Sequence, residues 1–456
     1  MSRTSDILVL GATGTCISKS VCVTVSEHNY SLTGLTGRQA TRFLAAHPDR
    51  TSKKFTLAIA ARSKQKLDAL VSDLSLPQDI RTLTLDVTNE DAVDEAVKQT
   101  RIVVNTVGPY YRWGTPVVRA CARHGIHYVD LTGESLWVAQ IIREFHDQAT
   151  ETRSIIVPAC GLDSIPSDIS VYIANKALKD FDPSLQITTT TTVYEQVDGI
   201  ISSGTLNSSI GLRLAPKAER EMIFKDYLLS PVEGARCPQP RPLYKVKVPG
   251  KPSRSIVGSF WMMALPNKSI VQRSWGLLEQ EFSSNGSPSA EVTRARYGPS
   301  VVYDEFLKTR GLVSAVFLTM TMGLFWGLLG FAPFRSLMLR VLPGNDGIKT
   351  DEDLEKGMFK TTSVTTSSTS TNLPNPVQVT TTLTGKGDPG YLLSPILMAE
   401  CALSLLNTDA LPKLARRGGI LTPATAFGDL LVERLEANER FTVHYQVHTS
   451  EDKKTA

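Results

Sequence analysis

Short strand-like runs alternate with helical patterns along the first third of the chain. Four runs have the length of strands and are rich in apolar or β-branched residues: 7–10, 55–60, 81–86 and 102–105. Helical spacing follows the first three, starting near Thr36, at Arg62 and over 89–99. Because alternating strands and helices of this spacing form βαβ units, the pattern predicts a doubly wound parallel sheet and an α/β fold class.

The second half of the chain is richer in β-branched polar residues. Three threonine-rich runs suit strands that have one solvated face: 187–193, 361–366 and 377–383. These runs suggest a mixed or antiparallel sheet. We expect a first domain over residues 1–175 and a second domain over 176–456.

One apolar segment has the length needed to reach through a membrane. Residues 312–334 carry no charge and meet the requirement of roughly 20 residues for a spanning helix. We predict a segment that is re-entrant or lies on the surface. Three glycines permit a bend or close packing: Gly323, Gly327 and Gly330. Four flanking basic residues suit anionic headgroups: Lys308, Arg310, Arg335 and Arg340. The alternative is a helix buried in a homodimer interface or under the second domain.

Composition places the chain among ordinary globular proteins. Apolar residues make up 41% and charged residues 21%, which excludes a disordered chain. Lys and Arg total 49 against 45 Asp and Glu, a balance that gives no reason to expect a nucleic-acid partner. The six cysteines form no Cys-x-x-Cys pair, and no secretion signal precedes the first strand. We therefore expect a cytoplasmic protein without a metal site.

A glycine-rich turn follows the first strand but is interrupted. Gly11-Ala-Thr-Gly14 is half of a phosphate-binding turn, in which residues without Cβ let the backbone approach a pyrophosphate. Without residues 15–34 the chain would continue as Gly-Ala-Thr-Gly-Leu-Thr-Gly-Arg, a complete Gly-x-x-Gly-x-x-Gly motif that ends at Gly37. We interpret residues 15–34 as a retained intron or gene-model error, and a real loop insertion is the alternative.

The residues after the second strand favour NADP(H) over NAD(H). NAD sites usually place a carboxylate there, whereas NADP sites place basic and small polar groups that hold the 2′-phosphate. This chain has Arg62 and Ser63, for which solvated charge at a helix start is the alternative explanation. Asp86 ends the third strand, where it meets the adenine or simply faces a loop. The residues predicted to bind the cofactor are Gly11, Thr13, Gly14, Gly37, Arg62, Ser63, Asp86, Asn105 and Gly108.

Motifs along the rest of the chain resemble one family of oxidoreductases. Among them are Asn105-Thr-Val-Gly-Pro-Tyr-Tyr111, His127-Tyr-Val-Asp-Leu-Thr-Gly-Glu134, Val157-Pro-Ala-Cys-Gly-Leu-Asp-Ser-Ile-Pro-Ser-Asp168 and Gly387-Asp-Pro-Gly-Tyr391. In this order they resemble the saccharopine dehydrogenase-like oxidoreductases, including the trans-acting enoyl reductases. The resemblance departs at the split glycine motif and over 361–372. It implies a Rossmann-like first domain, an α+β second domain, here expected on a mixed sheet, and a nicotinamide-dependent reductase or dehydrogenase. The resemblance also treats residues 387–400 as part of the same fold, so a helix near 392–407 is expected to pack back on the first domain, and a simple membrane crossing over 312–334 would separate the two.

Hydride transfer to a C=C, C=N or C=O bond needs a group that donates a proton or stabilises charge. The loops after 102–105 and 155–157 offer Tyr110 as a proton donor and Asp163 and Ser164 as groups that orient substrate. Each has an alternative, because Tyr110 also suits packing, and Asp163 and Ser164 also suit helix capping. Cys160 is interpreted as a small buried residue, since hydride transfer needs no nucleophile.

Three functions stay open. The first is an NADPH-dependent reductase that acts on an apolar acyl, lipid or polyketide-type substrate, on the cytoplasmic side of a membrane or lipid droplet, where the resemblance also places members of the family. The second is a non-catalytic scaffold with a degenerate nucleotide site, for which the interrupted glycine motif argues. The third is a saccharopine-type amino-acid dehydrogenase, which gives no reason for the apolar segment.

Overall fold

The computed structural model describes residues 3–13, 34–199, 203–250, 252–284, 286–341, 350–371 and 373–449. Within these ranges the strands are β1 (Ile7–Leu10), β2 (Leu57–Ala61), β3 (Arg81–Thr84), β4 (Ile102–Asn105), β5 (His127–Asp130), β6 (Ile155–Val157), β7 (Ile187–Asp198), β8 (Tyr244–Val248), β9 (Arg254–Ser259), β10 (Val302–Lys308), β11 (Met358–Ser367), β12 (Gln378–Lys386), β13 (Gly419–Ile420) and β14 (Phe441–His448). They form two seven-stranded sheets, here called sheet A and sheet B.

The helices within the same ranges are α1 (Leu35–Ala46), α2 (Pro48–Thr51), α3 (Lys64–Asp73), α4 (Glu90–Lys98), α5 (Tyr110–Trp113), α6 (Thr115–His124), α7 (Ser135–Glu151), α8 (Ser164–Phe181), α9 (Ser203–Leu214), α10 (Lys217–Met222), α11 (Ala264–Ser284), α12 (Ala290–Ala295), α13 (Leu312–Leu328), α14 (Ala332–Val341), α15 (Asp351–Glu355), α16 (Ser394–Ser404), α17 (Lys413–Arg416), α18 (Pro423–Phe427) and α19 (Asp429–Ala437). A π-helical turn, Pro389–Leu393, leads into α16.

Sheet A is parallel throughout, in the order β3-β2-β1-β4-β5-β6-β13. All four side chains of β1 are buried, since this strand has a neighbour on each edge and helices on both faces. One face packs against α1, α3 and α16, and the other packs against α4, α6 and α7. This is the strand order of a Rossmann-like doubly wound sheet with one added strand, which confirms the predicted fold class.

Sheet B is mixed, in the order β14-β12-β11-β7-β10-β9-β8. The pair β7 and β10 is parallel, and the other neighbours are antiparallel. The solvated face expected for the threonine-rich run 361–366 is wrong, because side chains on both faces of β11 are buried. Two of these hydroxyls are satisfied across the sheet, Ser363 with Thr192 at 2.8 Å and Thr365 with Thr190 at 2.9 Å. Cross-strand hydrogen bonds therefore let polar side chains occupy an interior strand.

The C-terminal part of the chain returns to sheet A. Strand β13 pairs with β6, and α16 packs against α1, β4 and β5. Asp168 of α8 links this part of the chain to α8 and α11. Its carboxylate accepts from the Ser274 hydroxyl at 2.5 Å and from the Ala424 N–H at 2.8 Å. Helix α8 itself runs across the boundary predicted near residue 175. The carboxyl edge of sheet A thus lies beside elements from the second half of the chain.

Candidate functional site

The predicted cofactor residues lie at the carboxyl edge of sheet A, where nucleotides bind in open α/β sheets. Gly11 and Thr13 follow β1, Arg62 and Ser63 follow β2, Asp86 lies just beyond β3, and Gly108 lies beyond β4. Gly14 and most of the interrupting segment 15–34 lie outside the described residues.

Gly11 and Gly37 meet at this edge. Helix α1 begins at Leu35, close to the start predicted near Thr36. A Cβ atom on Gly37 would lie 2.2 Å from the Gly11 carbonyl oxygen, and Gly11 has a φ of +82°. Both positions therefore require glycine, and their contact is the close helix–strand packing that the third glycine of the motif permits. Gly14, the glycine expected to approach the pyrophosphate, lies outside the described residues. The Thr13 hydroxyl is buried and has no hydrogen-bond partner among the described residues, so it suits a phosphate oxygen.

Arg62 and Asp86 lie close together beyond β2 and β3. The Thr88 N–H and hydroxyl bind the Asp86 carboxylate at 3.0 and 2.8 Å. The backbone hydrogen bond is the largest cause that lowers the pKa of Asp86, and the positive charge of Arg62 adds to it. Ser63 caps α3, its hydroxyl accepting from the Lys66 N–H at 3.3 Å. No acidic residue takes the place of Arg62 or Ser63, so this corner fits a 2′-phosphate better than a free ribose hydroxyl.

Asn105 is fully buried at the end of β4. Its side-chain amide donates to the Tyr128 hydroxyl at 3.1 Å and accepts from the Val107 N–H at 3.0 Å. Tyr128 in turn donates to Asp130 at 2.8 Å, and burial raises the pKa of Asp130 to about 7. The amide of Asn105 thus holds the loop after β4 in place, and its contact with the cofactor stays a prediction.

Tyr110 lies directly beyond this network. Its ring stacks on Trp137 with centroids 5.4 Å apart, and its hydroxyl donates to the Asn105 carbonyl at 3.0 Å. Burial raises the pKa of Tyr110 well above its ordinary value. Glu134, which sequence reasoning did not assign, accepts from the N–H groups of Tyr110 and Tyr111 at 3.0 and 2.8 Å. The surroundings of Tyr110 therefore match the packing alternative more closely than a free proton donor.

Asp163 and Ser164 lie together after β6, at the N-terminus of α8. The side chain of Asp163 makes no capping hydrogen bond, so the capping alternative does not account for it. Burial raises the pKa of Asp163 to about 6. The Ser164 hydroxyl donates to the Asn267 side-chain oxygen at 3.2 Å. Within the described part of the chain, no hydrogen bond reaches the Asp163 carboxyl.

A buried cluster of hydrogen-bonded side chains around Glu305 lies near Asp163. The carboxylate of Glu305 accepts from the hydroxyls of Ser167 and Tyr303, each at 2.6 Å, and from the Asn267 amide at 2.8 Å. Desolvation is the largest influence on Glu305 and raises its pKa to about 8, and the nearby charge of Asp163 acts in the same direction. Sequence reasoning missed this cluster. One signal in the sequence could have indicated the cluster. Glu305 lies two residues after Tyr303 on β10, so the two side chains share one face of the strand, and that face is buried.

Cys160 lies two residues before Leu162 and is fully buried. Its thiol donates to the Val157 carbonyl at 3.3 Å, and burial together with Cys401 raises its pKa well above the ordinary value. A thiol held protonated in this way is a poor nucleophile. Among the described residues no group of His, Cys, Asp and Glu has the arrangement of a metal site.

The relatives found by comparison with known proteins agree with one another. Residues 33–157 match the family model described as the saccharopine dehydrogenase NADP binding domain. The chain is 32% identical over 435 residues to a putative trans-acting enoyl reductase of Mycobacterium tuberculosis, a match that covers 90% of this chain and 94% of the relative. It is 29% identical over 419 residues to a trans-acting enoyl reductase of Mycobacterium bovis, with coverages of 89% and 94%.

Among solved structures, apo saccharopine dehydrogenase (L-Glu forming) from Saccharomyces cerevisiae aligns over 98% of this chain and 100% of its own, with 12% identity and a TM-score of 0.49.

Proposed function

This chain belongs to the saccharopine dehydrogenase-like oxidoreductases, in the branch of the trans-acting enoyl reductases, and we propose that it reduces the C=C bond of an apolar α,β-unsaturated acyl substrate. It is an NAD(P)-dependent oxidoreductase whose first domain is of the NADP-binding type. The nature of the acyl group, lipid or polyketide-type, is part of the proposal.

The carboxyl edge of sheet A supplies what the cofactor needs. The contact between Gly11 and Gly37 packs α1 closely against the end of β1, so that the N-terminus of α1 can face a pyrophosphate, and Thr13 offers its hydroxyl at the same edge. Arg62 and Ser63 are the groups for the 2′-phosphate. NADPH, when bound, supplies the hydride.

The observation that carries the proposed chemistry is the carboxyl group of Asp163. It follows β6, at the edge where the nicotinamide half of a dinucleotide lies in this fold. Hydride addition to the β-carbon of an enoyl group breaks the C=C π bond and leaves an enolate, whose α-carbon must take a proton. Asp163, with a pKa raised to about 6, donates that proton and regains one from solvent. The net change is the addition of one hydride and one proton across the double bond.

Ser164 and Tyr110 have supporting roles in this proposal. Asn267 fixes the Ser164 hydroxyl at 3.2 Å, which orients it beside Asp163. Tyr110, stacked on Trp137 and bonded to the Asn105 carbonyl, forms a rigid wall that excludes water from the reacting carbon.

The first experiment is titration of NADPH and NADH against the full chain and against a variant lacking residues 15–34, followed by NADPH oxidation assays with enoyl thioesters of increasing chain length. The proposal expects the shortened chain to bind NADPH more tightly than NADH and to reduce long enoyl thioesters faster than short ones. Failure of both chains to bind NADPH would favour the scaffold alternative. Oxidation of saccharopine-type amino acids without enoyl reduction would favour the amino-acid dehydrogenase.

A further inference from the structure

Helices α13 and α14, with the residues between them, form what we call the apolar hairpin. Five large apolar side chains of α13 are more than half exposed: Leu312 at 56%, Val313 at 85%, Phe317 at 67%, Met320 at 67% and Leu324 at 62%. Phe331, in the connection, is 60% exposed and Leu337 of α14 is 50% exposed. A folded chain rarely leaves so many large apolar side chains in one exposed segment unless something covers them.

The exposed side chains of α13 share one face of the helix. Val313, Phe317, Met320 and Leu324 are spaced by four, three and four residues, so they align along a single stripe. The opposite side of α13 faces the protein, where Ala315 is fully buried and the Thr319 hydroxyl oxygen accepts from the Phe260 N–H at 3.1 Å. The hairpin therefore packs on the fold through one face of α13, and the opposite face of α13 is exposed to solvent.

The charges that flank the hairpin in the sequence are basic. The sequence contains no Asp or Glu between Glu305 and Asp346, whereas Lys308, Arg310 and Arg335 flank the apolar stretch. Lys308 is paired with Glu195 at 3.0 Å, so Arg310 and Arg335 are the cations that remain for headgroups. Arg310 is exposed at the start of α13. Arg335 donates to the carbonyls of Leu329 and Gly330 at 3.1 and 2.9 Å, which places its guanidinium at the bend. An apolar stripe with cations at its ends is complementary to the anionic headgroups and acyl chains of a phospholipid leaflet.

The shape of the hairpin defines the mode of contact. Within the described residues, no single helix combines the length and apolar composition of a membrane span, and α13 and α14 meet those criteria only as a pair bent by 110°. We propose that the apolar hairpin is a docking surface for an anionic phospholipid membrane, which enters one leaflet and does not cross it.

Helix α9 connects this surface to the cofactor edge. Arg213 of α9 donates to the Trp326 carbonyl at 3.1 Å, and a Cβ on Gly211 would lie 2.9 Å from the Tyr111 hydroxyl. Ser208 of the same helix donates to Glu134 at 2.9 Å. Docking of the hairpin therefore places the edge that carries Tyr110 and Glu134 near the leaflet. This orientation rests on the proposed function, since an apolar acyl substrate would then reach the site from the membrane side.

Vesicle flotation tests the surface. The full chain is mixed with vesicles of phosphatidylcholine alone and with vesicles that also contain phosphatidylserine. We expect flotation with the anionic vesicles, weaker flotation with the neutral ones, and a partition at least about tenfold weaker for the double variant Phe317→Glu and Leu324→Glu. The matched control is Phe181→Glu, which changes another exposed phenylalanine, 45% exposed at the end of α8, and is expected to float like the wild type.

Three results would overturn the proposal. The first is absence of flotation with the anionic vesicles. The second is protection of residues 350–449 from protease added outside the vesicles, which would show a crossing. The third is a lipid-free dimer that the double variant converts to a monomer without any loss of flotation, which would make a second copy of the chain the occupant. The NADPH affinity of every variant is measured in parallel, because unchanged binding separates failure of the docking surface from failure of the proposed reductase.

Discussion

The backbone of Gly37 touches the carbonyl oxygen of Gly11 so closely that a Cβ on Gly37 would lie 2.2 Å from it. The two glycines stand on either side of the segment that interrupts the glycine motif, yet α1 is packed against the end of β1 as in an uninterrupted turn. The match to the NADP-binding family model begins at residue 33, directly before this helix. The close helix–strand packing of a dinucleotide-binding turn is thus preserved outside the interrupting residues.

Gly37→Ala is expected to weaken NADPH binding by at least about tenfold and to destabilise the fold, because backbone atoms cannot give way to the new methyl group as a flexible side chain would. Fluorescence titration and thermal unfolding measure the two effects. Gly323→Ala in α13 is the control, since nothing lies within 4 Å of its Cβ position. It should be neutral or slightly stabilising, as alanine is in an exposed helix. Equal NADPH affinity in the two variants would contradict the assigned turn.

Arg62→Ala is expected to reduce the affinity for NADPH by about tenfold to a hundredfold and to leave the affinity for NADH nearly unchanged, since a charge-assisted contact with a phosphate contributes about 1.5–3 kcal/mol. The ratio of the two dissociation constants, measured by calorimetry, isolates the 2′-phosphate from the rest of the cofactor. Arg119→Ala is a suitable control, because that arginine pairs with Glu90 at 2.8 Å on the surface. A parallel loss for NADH would mean that Arg62 acts on the fold and not on the 2′-phosphate.

The sheet could be predicted from sequence because parallel strands carry a strong local signal. Continuous apolar runs predicted the bounds of β1 and β4 as the structure has them, and the predicted bounds of β2 and β3 differ from the structure by at most two residues. The burial of β11 could not be predicted in the same way. Threonine suits solvated and interior strands alike, and only the partner hydroxyls of β7, which are distant in sequence, decide between them.

In the candidate site, too, some residues could be predicted from local sequence patterns and others depend on tertiary contacts. Gly11, Arg62 and Ser63 follow strands directly, so their shared edge could be inferred from the topology. Gly37 was inferred from the glycine motif that is restored when residues 15–34 are left out. The partners of Glu305 come from α8, α11 and β10, and no local pattern brings those elements together. Tertiary packing, which sequence spacing does not encode, therefore determined the part of the site that was missed.

Asp163→Asn is expected to lower kcat for enoyl reduction by about a hundredfold or more, because an amide cannot donate a proton as a carboxylic acid does. The wild-type kcat should fall as the pH rises through about 6, since the raised pKa of Asp163 marks the loss of its proton. The pH profile of the variant should be flat in that range, with an unchanged dissociation constant for NADPH. Asp68→Asn, a surface aspartate paired with Lys64 at 2.9 Å, is the control. A variant that keeps the wild-type pH profile would assign the proton to another group.

Glu305→Gln is expected to reduce the dependence of the free energy of unfolding on pH. Burial raises the pKa of Glu305 from 4.5 to about 8, so the folded state holds this proton more tightly than the unfolded chain does. The contribution to stability is therefore complete below pH 4.5 and is lost as the pH rises through about 8. Each unit of pKa difference corresponds to about 1.4 kcal/mol, so the loss is on the order of several kcal/mol.

Urea unfolding of the wild type between acidic and mildly alkaline pH should show stability falling over this range, and Glu305→Gln should make the slope smaller. The slope does not vanish, because burial also raises the pKa values of Asp130 and Asp168, each to about 7, and these groups act with the same sign. Glu95→Gln, on the exposed side of α4, should keep the wild-type slope. Burial lowers the pKa of His127 to about 4, which acts with the opposite sign, so the difference between the two chains is decisive. Equal slopes for the wild type and Glu305→Gln between pH 5 and 8 would show that the pKa of Glu305 is not raised and that its three hydrogen-bond donors outweigh its desolvation.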